Sequence, residues 1–144
     1  MIYIDTSCLL KVFRLEAESA AVIEAVKRES FVVVSVLVDL EVRVQLKADY
    51  LGGNLTQARW RRLEAGFSAL RDQQPFSFQQ LPPAVFQTAL RQHRDFPNIH
   101  CRTLDRLHGA AMEELKLSRL MTLDERQAKA AVEVGFEVVR PSRS

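Results

Sequence analysis

The chain has 144 residues, of which 47% are hydrophobic and 26% charged, as expected for one soluble globular domain with its own core. No apolar run approaches the roughly 20 residues that a transmembrane helix needs, so we expect no membrane partner. The formal net charge of +2 is too small to indicate nucleic-acid binding by itself, although 15 of the 20 basic residues are arginines, which suit bidentate phosphate contacts.

Short apolar runs alternate with amphipathic stretches along the chain, which predicts strands alternating with helices. The predicted strands cover residues 1–5, 31–34, 76–81, 120–121 and 136–139. The predicted helices cover residues 8–13, 16–29, 35–50, 55–71, 82–95, 103–117 and 124–134. Ser35 is the expected N-cap of the third helix, and Gly135 is expected to end the last one. Strands separated by helices predict an α/β domain over residues 1–140, with a mainly parallel sheet, helices on both faces and a tail at 141–144.

Four acids lie at positions where parallel α/β folds place ligands. Asp5 directly follows the first strand, and the carboxyl ends of such strands form the ligand crevice. Glu41 lies on a predicted helix face with Leu37 and Val44, where an unpaired carboxylate is unfavourable. Asp105 lies in the first turn of a helix, and Asp124 follows a short strand.

Each acid also has a purely structural interpretation. Asp5 is a suitable helix N-cap, and Glu41 is a solvated residue if its face is open. Asp105 and Asp124 complement a helix dipole, and Thr122 with Glu125 fits a capping box. Taken singly, each structural interpretation is favoured, so the four acids need a common explanation to be functional.

Four sequence motifs supply such an explanation: Ile-Asp-Thr-Ser at 4–7, Ser35 to Glu41, Arg-Thr-Leu-Asp-Arg-Leu-His at 102–108, and Thr-Leu-Asp at 122–124 followed by Ala130, Ala131 and Gly135. In this order and spacing the chain resembles the PIN domain, and among its members the VapC-type ribonuclease toxins of toxin–antitoxin pairs. The resemblance implies that the catalytic, metal-binding residues are Asp5, Glu41, Asp105 and Asp124, supported by Ser7 and Thr122. Two residues depart from the family pattern: Arg106, expected to reach a phosphate or only solvent, and Gly109, which weakens its helix by roughly 1 kcal/mol relative to alanine.

The chemistry of four converging carboxylates agrees with this resemblance. Two such charges about 4 Å apart repel by about 1 kcal/mol even in water, so the cluster must bind protons or a cation. An all-oxygen ligand set favours Mg²⁺ or Mn²⁺ over zinc. Metal ions held in this way activate water for in-line phosphodiester hydrolysis. We therefore predict a Mg²⁺- or Mn²⁺-dependent endoribonuclease acting on RNA.

Several alternatives remain open at this stage. A phosphatase of the HAD type also begins with a strand ending in aspartate, but it requires a second aspartate where Ser7 stands. A non-catalytic PIN-fold binding module is disfavoured because all four acids are present. His108, one turn after Asp105, is interpreted as a structural histidine beside the site rather than a ligand. The cluster of Arg59, Arg61 and Arg62 either tracks a phosphate backbone or is simply solvated.

The resemblance also implies partners, namely a cognate antitoxin and a second copy of the chain. Apolar residues in excess of what one small sheet needs indicate an interface, and they include Val42, Val44, Leu46, Tyr50 and Leu51. Cys8 and Cys101 form no Cys-x-x-Cys motif, and no basic leader precedes the first apolar stretch. We therefore expect reduced thiols and a cytoplasmic protein.

Overall fold

The structure, a computed structural model, describes residues 1–142, so the last two residues of the predicted tail lie outside it. The strands are β1 (Ile2–Ile4), β2 (Val32–Ser35), β3 (Phe76–Gln79), β4 (Arg119–Met121) and β5 (Glu137–Val139). They form one sheet in the order β3-β2-β1-β4-β5, in which all neighbouring strands are parallel. The predicted α/β architecture is confirmed, whereas the domain limits at 1–140 stay a prediction.

Helices surround this sheet and agree with the predicted order. They are α1 (Thr6–Phe13), α2 (Ser19–Lys27), α3 (Val36–Leu51), α4 (Gln57–Ala69), α5 (Val85–Asp95), α6 (Thr103–Glu114) and α7 (Glu125–Val134). As predicted, Ser35 caps α3 by accepting a hydrogen bond from the backbone N–H of Val38 at 3.3 Å. Gly135 ends α7 in the left-handed conformation, with φ 101°, which glycine adopts without steric penalty.

The central strands are buried on both faces, which explains their uninterrupted apolar sequence. All residues of β1 and β2 are buried, whereas the edge strands β3 and β5 are only partly so. Val42 and Leu46 of α3 are also fully buried, so the prediction that they belong to an interface is wrong. The reason is that α3 packs against both α1 and α4, and therefore needs apolar residues on two sides.

The other three residues assigned to an interface lie nearer the surface. Val44 and Leu51 are 58% and 71% exposed, respectively. Tyr50 is half-buried and stacks on Trp60, with ring centroids 4.7 Å apart. The interface itself stays a prediction.

The packing of α5 against α6 accounts for the two departures from the family pattern. A Cβ atom at Gly109 would lie 2.9 Å from Oε1 of Gln92, whose Nε2 donates to the Gly109 carbonyl at 3.3 Å. Glycine therefore permits this close approach of the helices. Arg106 is only 7% exposed and lines a second cavity together with Phe86 and Leu90 of α5, so the alternative that it reaches only solvent is wrong. The alternative that it reaches a phosphate stays a prediction.

The chain changes direction at the centre of the sheet, and this places the ends of β1 and β4 together. From β1 the chain proceeds to β2 and β3, and then returns to β4 on the other side of β1. In open parallel sheets such a switch point opens a crevice at the carboxyl ends of the strands. Asp5 and Thr122 follow β1 and β4 directly, and the Asp5 N–H donates to the Met121 carbonyl at 3.1 Å. Within residues 1–142, no helix combines the length and the apolar character needed to cross a bilayer.

Candidate active site

A cavity of about 380 Å³ opens at this switch point and receives all four predicted acids. Asp5 reaches it from the end of β1, Glu41 from α3, Asp105 from the first turn of α6 and Asp124 from the start of α7. The cavity is also lined by Ser7 and by Thr6, Arg102, Thr103, Leu104, His108 and Gln127. Four separate elements thus bring their carboxylates to one place, although the sequence separates them by more than a hundred residues.

Asp5 is the most enclosed of these acids, at 4% exposure. Its Oδ1 accepts hydrogen bonds from Ser7 Oγ at 2.6 Å and from the Cys8 backbone N–H at 3.1 Å, while Thr122 Oγ1 donates to its Oδ2. Burial raises the pKa of Asp5 above its ordinary value, and the hydrogen bonds from Ser7, Thr122 and Cys8 only partly oppose this effect. Asp5 therefore caps α1, as the structural interpretation predicted, and also faces the cavity.

The two supporting hydroxyls join the ends of β1 and β4. Ser7 Oγ accepts from the Leu123 N–H at 3.0 Å, and Thr122 Oγ1 accepts from the Asp124 N–H at 2.9 Å, while each donates to Asp5. Thr122 is fully buried behind Asp5 and does not line the cavity. Each hydroxyl thus fixes one carboxylate oxygen of Asp5 and one backbone N–H of the loop that follows β4.

The alternative of a capping box at Thr122 and Glu125 is wrong, because the N-cap of α7 lies two residues after Thr122. Asp124 is the N-cap, and its Oδ1 accepts from the backbone N–H groups of Arg126 at 2.9 Å and Gln127 at 3.3 Å. The Thr122 hydroxyl is instead engaged with Asp5. The second carboxylate oxygen of Asp124, Oδ2, lies 3.6 Å from Nη2 of Arg102, another residue that lines the cavity.

Glu41 is held by a chain of hydrogen bonds that begins inside the sheet. Its Oε1 lies 2.5 Å from Nε2 of His108, and Nδ1 of His108 lies 2.7 Å from the hydroxyl of Tyr3. The Tyr3 hydroxyl also lies 2.7 Å from Ser35 Oγ. With Glu41 ionised, all contacts are satisfied when Ser35 donates to Tyr3, Tyr3 to neutral His108, and His108 to Glu41. Burial raises the pKa of Tyr3, so its proton stays in place at neutral pH.

His108 is therefore buried, at 3% exposure, and touches a predicted catalytic acid. Sequence reasoning placed it beside the site but did not find its contact with Glu41 or the role of Tyr3. The only sequence signal for His108 was its spacing of three residues after Asp105. Tyr3 had no such signal, because a buried tyrosine in a strand is an ordinary core residue.

Asp105 pairs with an arginine that sequence reasoning quoted without assigning a role. Nε and Nη2 of Arg102 lie 3.0 Å from Oδ2 and 3.4 Å from Oδ1 of Asp105, respectively. This contact raises the pKa of Arg102. Gln127 of α7 adds a hydrogen bond from Nε2 to the Asp105 carbonyl at 3.2 Å. The signal for Arg102 was its spacing of three residues before Asp105, which places both at the start of one helix.

The donor types fit a hard divalent cation, since the cavity presents carboxylate and hydroxyl oxygens and no thiolate. Among residues 1–142, however, no three acidic, histidine or cysteine side chains already stand close enough together to hold an ion. The reason is visible in the pairings: Asp105 and Asp124 face Arg102, and Glu41 faces His108. Side-chain rotation about these pairs is needed before the four acids share one ion.

The arginine cluster on α4 lies apart from this site. Arg59, Arg61 and Arg62 are exposed, and none of them lines the cavity of the acids. The guanidinium carbon of Arg61 lies 5.8 Å from the ring centroid of Trp60. The two interpretations of this cluster, phosphate contact and solvated charge, both remain predictions.

Comparisons with known proteins agree with the fold. VapC20 of Mycobacterium tuberculosis, described as a toxin that cleaves the sarcin–ricin loop, superposes with a TM-score of 0.72 at 16% identity, covering 98% of this chain and 100% of that one. FitAcB from Neisseria gonorrhoeae gives 0.69 at 16% identity, covering 98% of each chain. A toxin–antitoxin complex from Klebsiella pneumoniae gives 0.66 at 15% identity, with both chains fully covered.

These identities are low, so the superpositions show a shared fold alone. No curated protein sequence matches the chain significantly. The family model of the PIN domain, in contrast, matches residues 2–133, nearly the whole chain and all four acids. The chain therefore belongs to the PIN domain family, as its sequence motifs predicted.

Proposed function

We propose that this protein is a Mg²⁺- or Mn²⁺-dependent endoribonuclease and the toxin of a type II toxin–antitoxin module in the cytoplasm. The observation that carries the proposal is the convergence of four carboxylates, from four elements, in one cavity at the switch point of the sheet. Membership of the PIN family and the shared fold with VapC20, a toxin that cleaves the sarcin–ricin loop, support it.

In this proposal the metal ligands are Asp5, Glu41, Asp105 and Asp124. A divalent ion bound there supplies an activated water and neutralises charge on the scissile phosphate. The protein's own contribution is orientation, since a catalytic group displaced by about 1 Å reduces the rate by roughly a hundredfold. Ser7 and Thr122 orient Asp5 through their hydroxyls.

The other acids are oriented from different directions. His108, backed by Tyr3, fixes the direction of Glu41. The cap hydrogen bonds of α7 hold Oδ1 of Asp124, which leaves Oδ2 for a ligand. Gln127 ties the backbone of Asp105 to α7, so that the acids of α6 and α7 keep their separation.

The test is cleavage of a labelled structured RNA by protein freed of metal and then supplied with Mg²⁺, Mn²⁺ or excess chelator. We expect internal cleavage with either ion and none with chelator. Undiminished cleavage in chelator would overturn the proposal. Turnover of a phosphate monoester without RNA cleavage would favour the HAD-type phosphatase, and metal binding without any turnover would favour a non-catalytic PIN module.

We also propose that the protein forms a homodimer and binds a cognate antitoxin. Large apolar side chains remain exposed on several helices, among them Leu40, Val44 and Leu51 of α3 and Phe86 and Leu90 of α5. Exposed apolar surface of this kind marks interfaces. Light scattering at micromolar concentration should give twice the mass of the 16.4 kDa chain. A monomer that also recovers no antitoxin encoded beside its gene would contradict both parts.

A further inference from the structure

The cavity of the acids already contains one cation, and it belongs to the protein. The guanidinium of Arg102 contacts Asp105 through two nitrogens, at 3.0 and 3.4 Å, and its Nη2 lies 3.6 Å from Oδ2 of Asp124. Arg102 thus bridges two of the four acids that the proposed function assigns to a metal ion. Within residues 1–142 its guanidinium has no other ionic or hydrogen-bonding partner.

We propose that Arg102 is an internal counter-cation that holds Asp105 and Asp124 in the metal-free protein and must leave them when a divalent ion binds. The inference rests on the proposed metal site and concerns how that site is filled. In this role Arg102 lowers the affinity for metal, because the guanidinium and the divalent ion compete for the same carboxylate oxygens. The observed affinity is then set by the difference between their two free energies of binding.

The burial of the partners explains why the metal-free state needs such a cation. Asp105 is 5% exposed, and an ionised carboxylate at that depth is unfavourable without a partner. The side chain of Arg102, in contrast, is 49% exposed. Ion pairs with one exposed member are weak, which makes this pair easy to exchange for a divalent ion.

The position of Arg102 in the chain also permits its departure. It is the residue before α6, with extended backbone angles of φ −65° and ψ 156°, and its side chain makes no capping hydrogen bond. Rotation of the side chain towards solvent therefore disturbs neither the helix nor the core. Asp124, in contrast, keeps its cap hydrogen bonds to α7, and the Asp105 backbone carbonyl stays bonded to Gln127.

A different role for Arg102 predicts the opposite effect on metal affinity. If Arg102 is a strut that holds Asp105 in its metal-binding position, its removal loosens Asp105 and weakens metal binding. If Arg102 competes with the ion, its removal strengthens metal binding. The sign of the change therefore separates the two roles.

The experiment compares the Mn²⁺ dissociation constant of the wild type with those of Arg102→Gln and Arg126→Gln, by calorimetry on metal-free protein. Arg126 is the matched control: it is exposed, its backbone N–H bonds Asp124 Oδ1 at 2.9 Å, and its side chain pairs with no acid among residues 1–142. Its substitution removes the same charge at the edge of the cavity without breaking an ion pair.

We expect Arg102→Gln to bind Mn²⁺ more tightly than the wild type, by up to about fivefold, the limit set by a half-exposed ion pair, and we expect Arg126→Gln to change the affinity less. Thermal denaturation supplies a second readout. Metal-free Arg102→Gln should melt at a lower temperature than the wild type, and saturating Mn²⁺ should close this gap.

Equal or weaker Mn²⁺ binding by Arg102→Gln would overturn the role of Arg102 and leave the proposed metal site standing. Equal tightening by the two variants would also overturn it, since long-range charge then explains the effect. Absence of Mn²⁺ binding in all three proteins would overturn the metal site itself, and the inference with it.

Discussion

The substitution Asp105→Asn distinguishes a metal ligand from a residue that merely stabilises a helix end. Asparagine keeps the size of the side chain and removes its charge. Asp105 is suited to the test because both interpretations apply to it: it lies in the first turn of α6 and it lines the cavity with three other acids.

Without metal, the opposing effects of this substitution nearly cancel. The variant loses a half-exposed ion pair with Arg102, about 0.2–1 kcal/mol, and a first-turn dipole interaction of about 0.3–1 kcal/mol. It gains relief from the repulsion of Asp5, Glu41 and Asp124 across the cavity. We expect the free energy of unfolding to change by less than about 1 kcal/mol.

With metal, the effect is large. At a Mn²⁺ concentration of about 100 times the dissociation constant, the wild type gains about 2.7 kcal/mol of stability. For a chain of this size that corresponds to a rise of about 6–10 °C in melting temperature. A ligand loss that weakens binding about a hundredfold leaves about 0.4 kcal/mol, or a rise of about 1 °C. Cleavage of RNA should be lost as well.

The matched control is Asp39→Asn. Asp39 is also a first-turn acid with arginine partners, since it lies at the start of α3 and pairs with Arg43 at 2.8 Å and Arg71 at 2.5 Å. It does not line the cavity. Melting temperature and RNA cleavage are measured for both variants with and without Mn²⁺. If Asp105→Asn behaves like Asp39→Asn, keeping cleavage and the full Mn²⁺ effect, then Asp105 only completes a helix end.

Three further outcomes follow from the same contacts. Thr122→Val removes a buried hydroxyl that donates to Asp5 and accepts from Asp124, so urea denaturation should show a loss of about 2–4 kcal/mol; a loss below about 1 kcal/mol contradicts the pairing. His108→Phe leaves Glu41 without its positioning contact, and should lower kcat for RNA by roughly ten- to hundredfold with little change in KM; unchanged kcat refutes that role. Because burial raises the folded-state pKa of Asp5, the folded protein holds this proton more tightly than the unfolded chain. The contribution of Asp5 to metal-free stability should therefore fall as pH rises through that raised pKa. The stabilisation by Mn²⁺ should grow over the same range, because the ion binds the deprotonated carboxylate. Thermal melts at about pH 5 and about pH 8, with and without Mn²⁺ and with Asp5→Asn as reference, measure these two effects.

Positions at element ends were predictable because local sequence determines them. Asp5 follows an apolar strand, Asp105 opens a helix, and Asp124 separates a strand from a helix. Parallel topology then requires that such ends share one edge of the sheet. A crevice at that edge follows from the same rule, whereas the order of the strands came only from the structure.

Contacts between distant residues were not predictable. Tyr3 and His108 are 105 positions apart, and no local pattern relates a strand tyrosine to a helix histidine. The surplus of apolar residues on α3 was misassigned for a similar reason, since Val42 and Leu46 meet helices that the sequence does not place. Two helix limits also differ from the prediction. The helix predicted from residue 16 begins only at Ser19, whose Oγ accepts from the Glu16 N–H at 2.8 Å. The helix predicted to reach residue 117 ends at Glu114, and Lys116 after it has a φ of 59°.

A structural role and the proposed catalytic role, the two alternatives that the sequence left open for each acid, do not exclude each other. A carboxylate has two oxygens, and Asp124 divides them: Oδ1 accepts the cap hydrogen bonds of α7, and Oδ2 faces Arg102. The cap hydrogen bonds thereby fix the rotation of the Asp124 side chain and so the direction of Oδ2. Asp105 reaches the same arginine from the first turn of α6, so two helix starts present their acids to one cation. Helix N-termini favour negatively charged groups nearby, which is also the form of a carboxylate that binds a divalent ion. Capping thus positions the side chains of Asp5 and Asp124, two of the proposed ligands, and a substitution that spares the cap but removes the charge separates the two contributions.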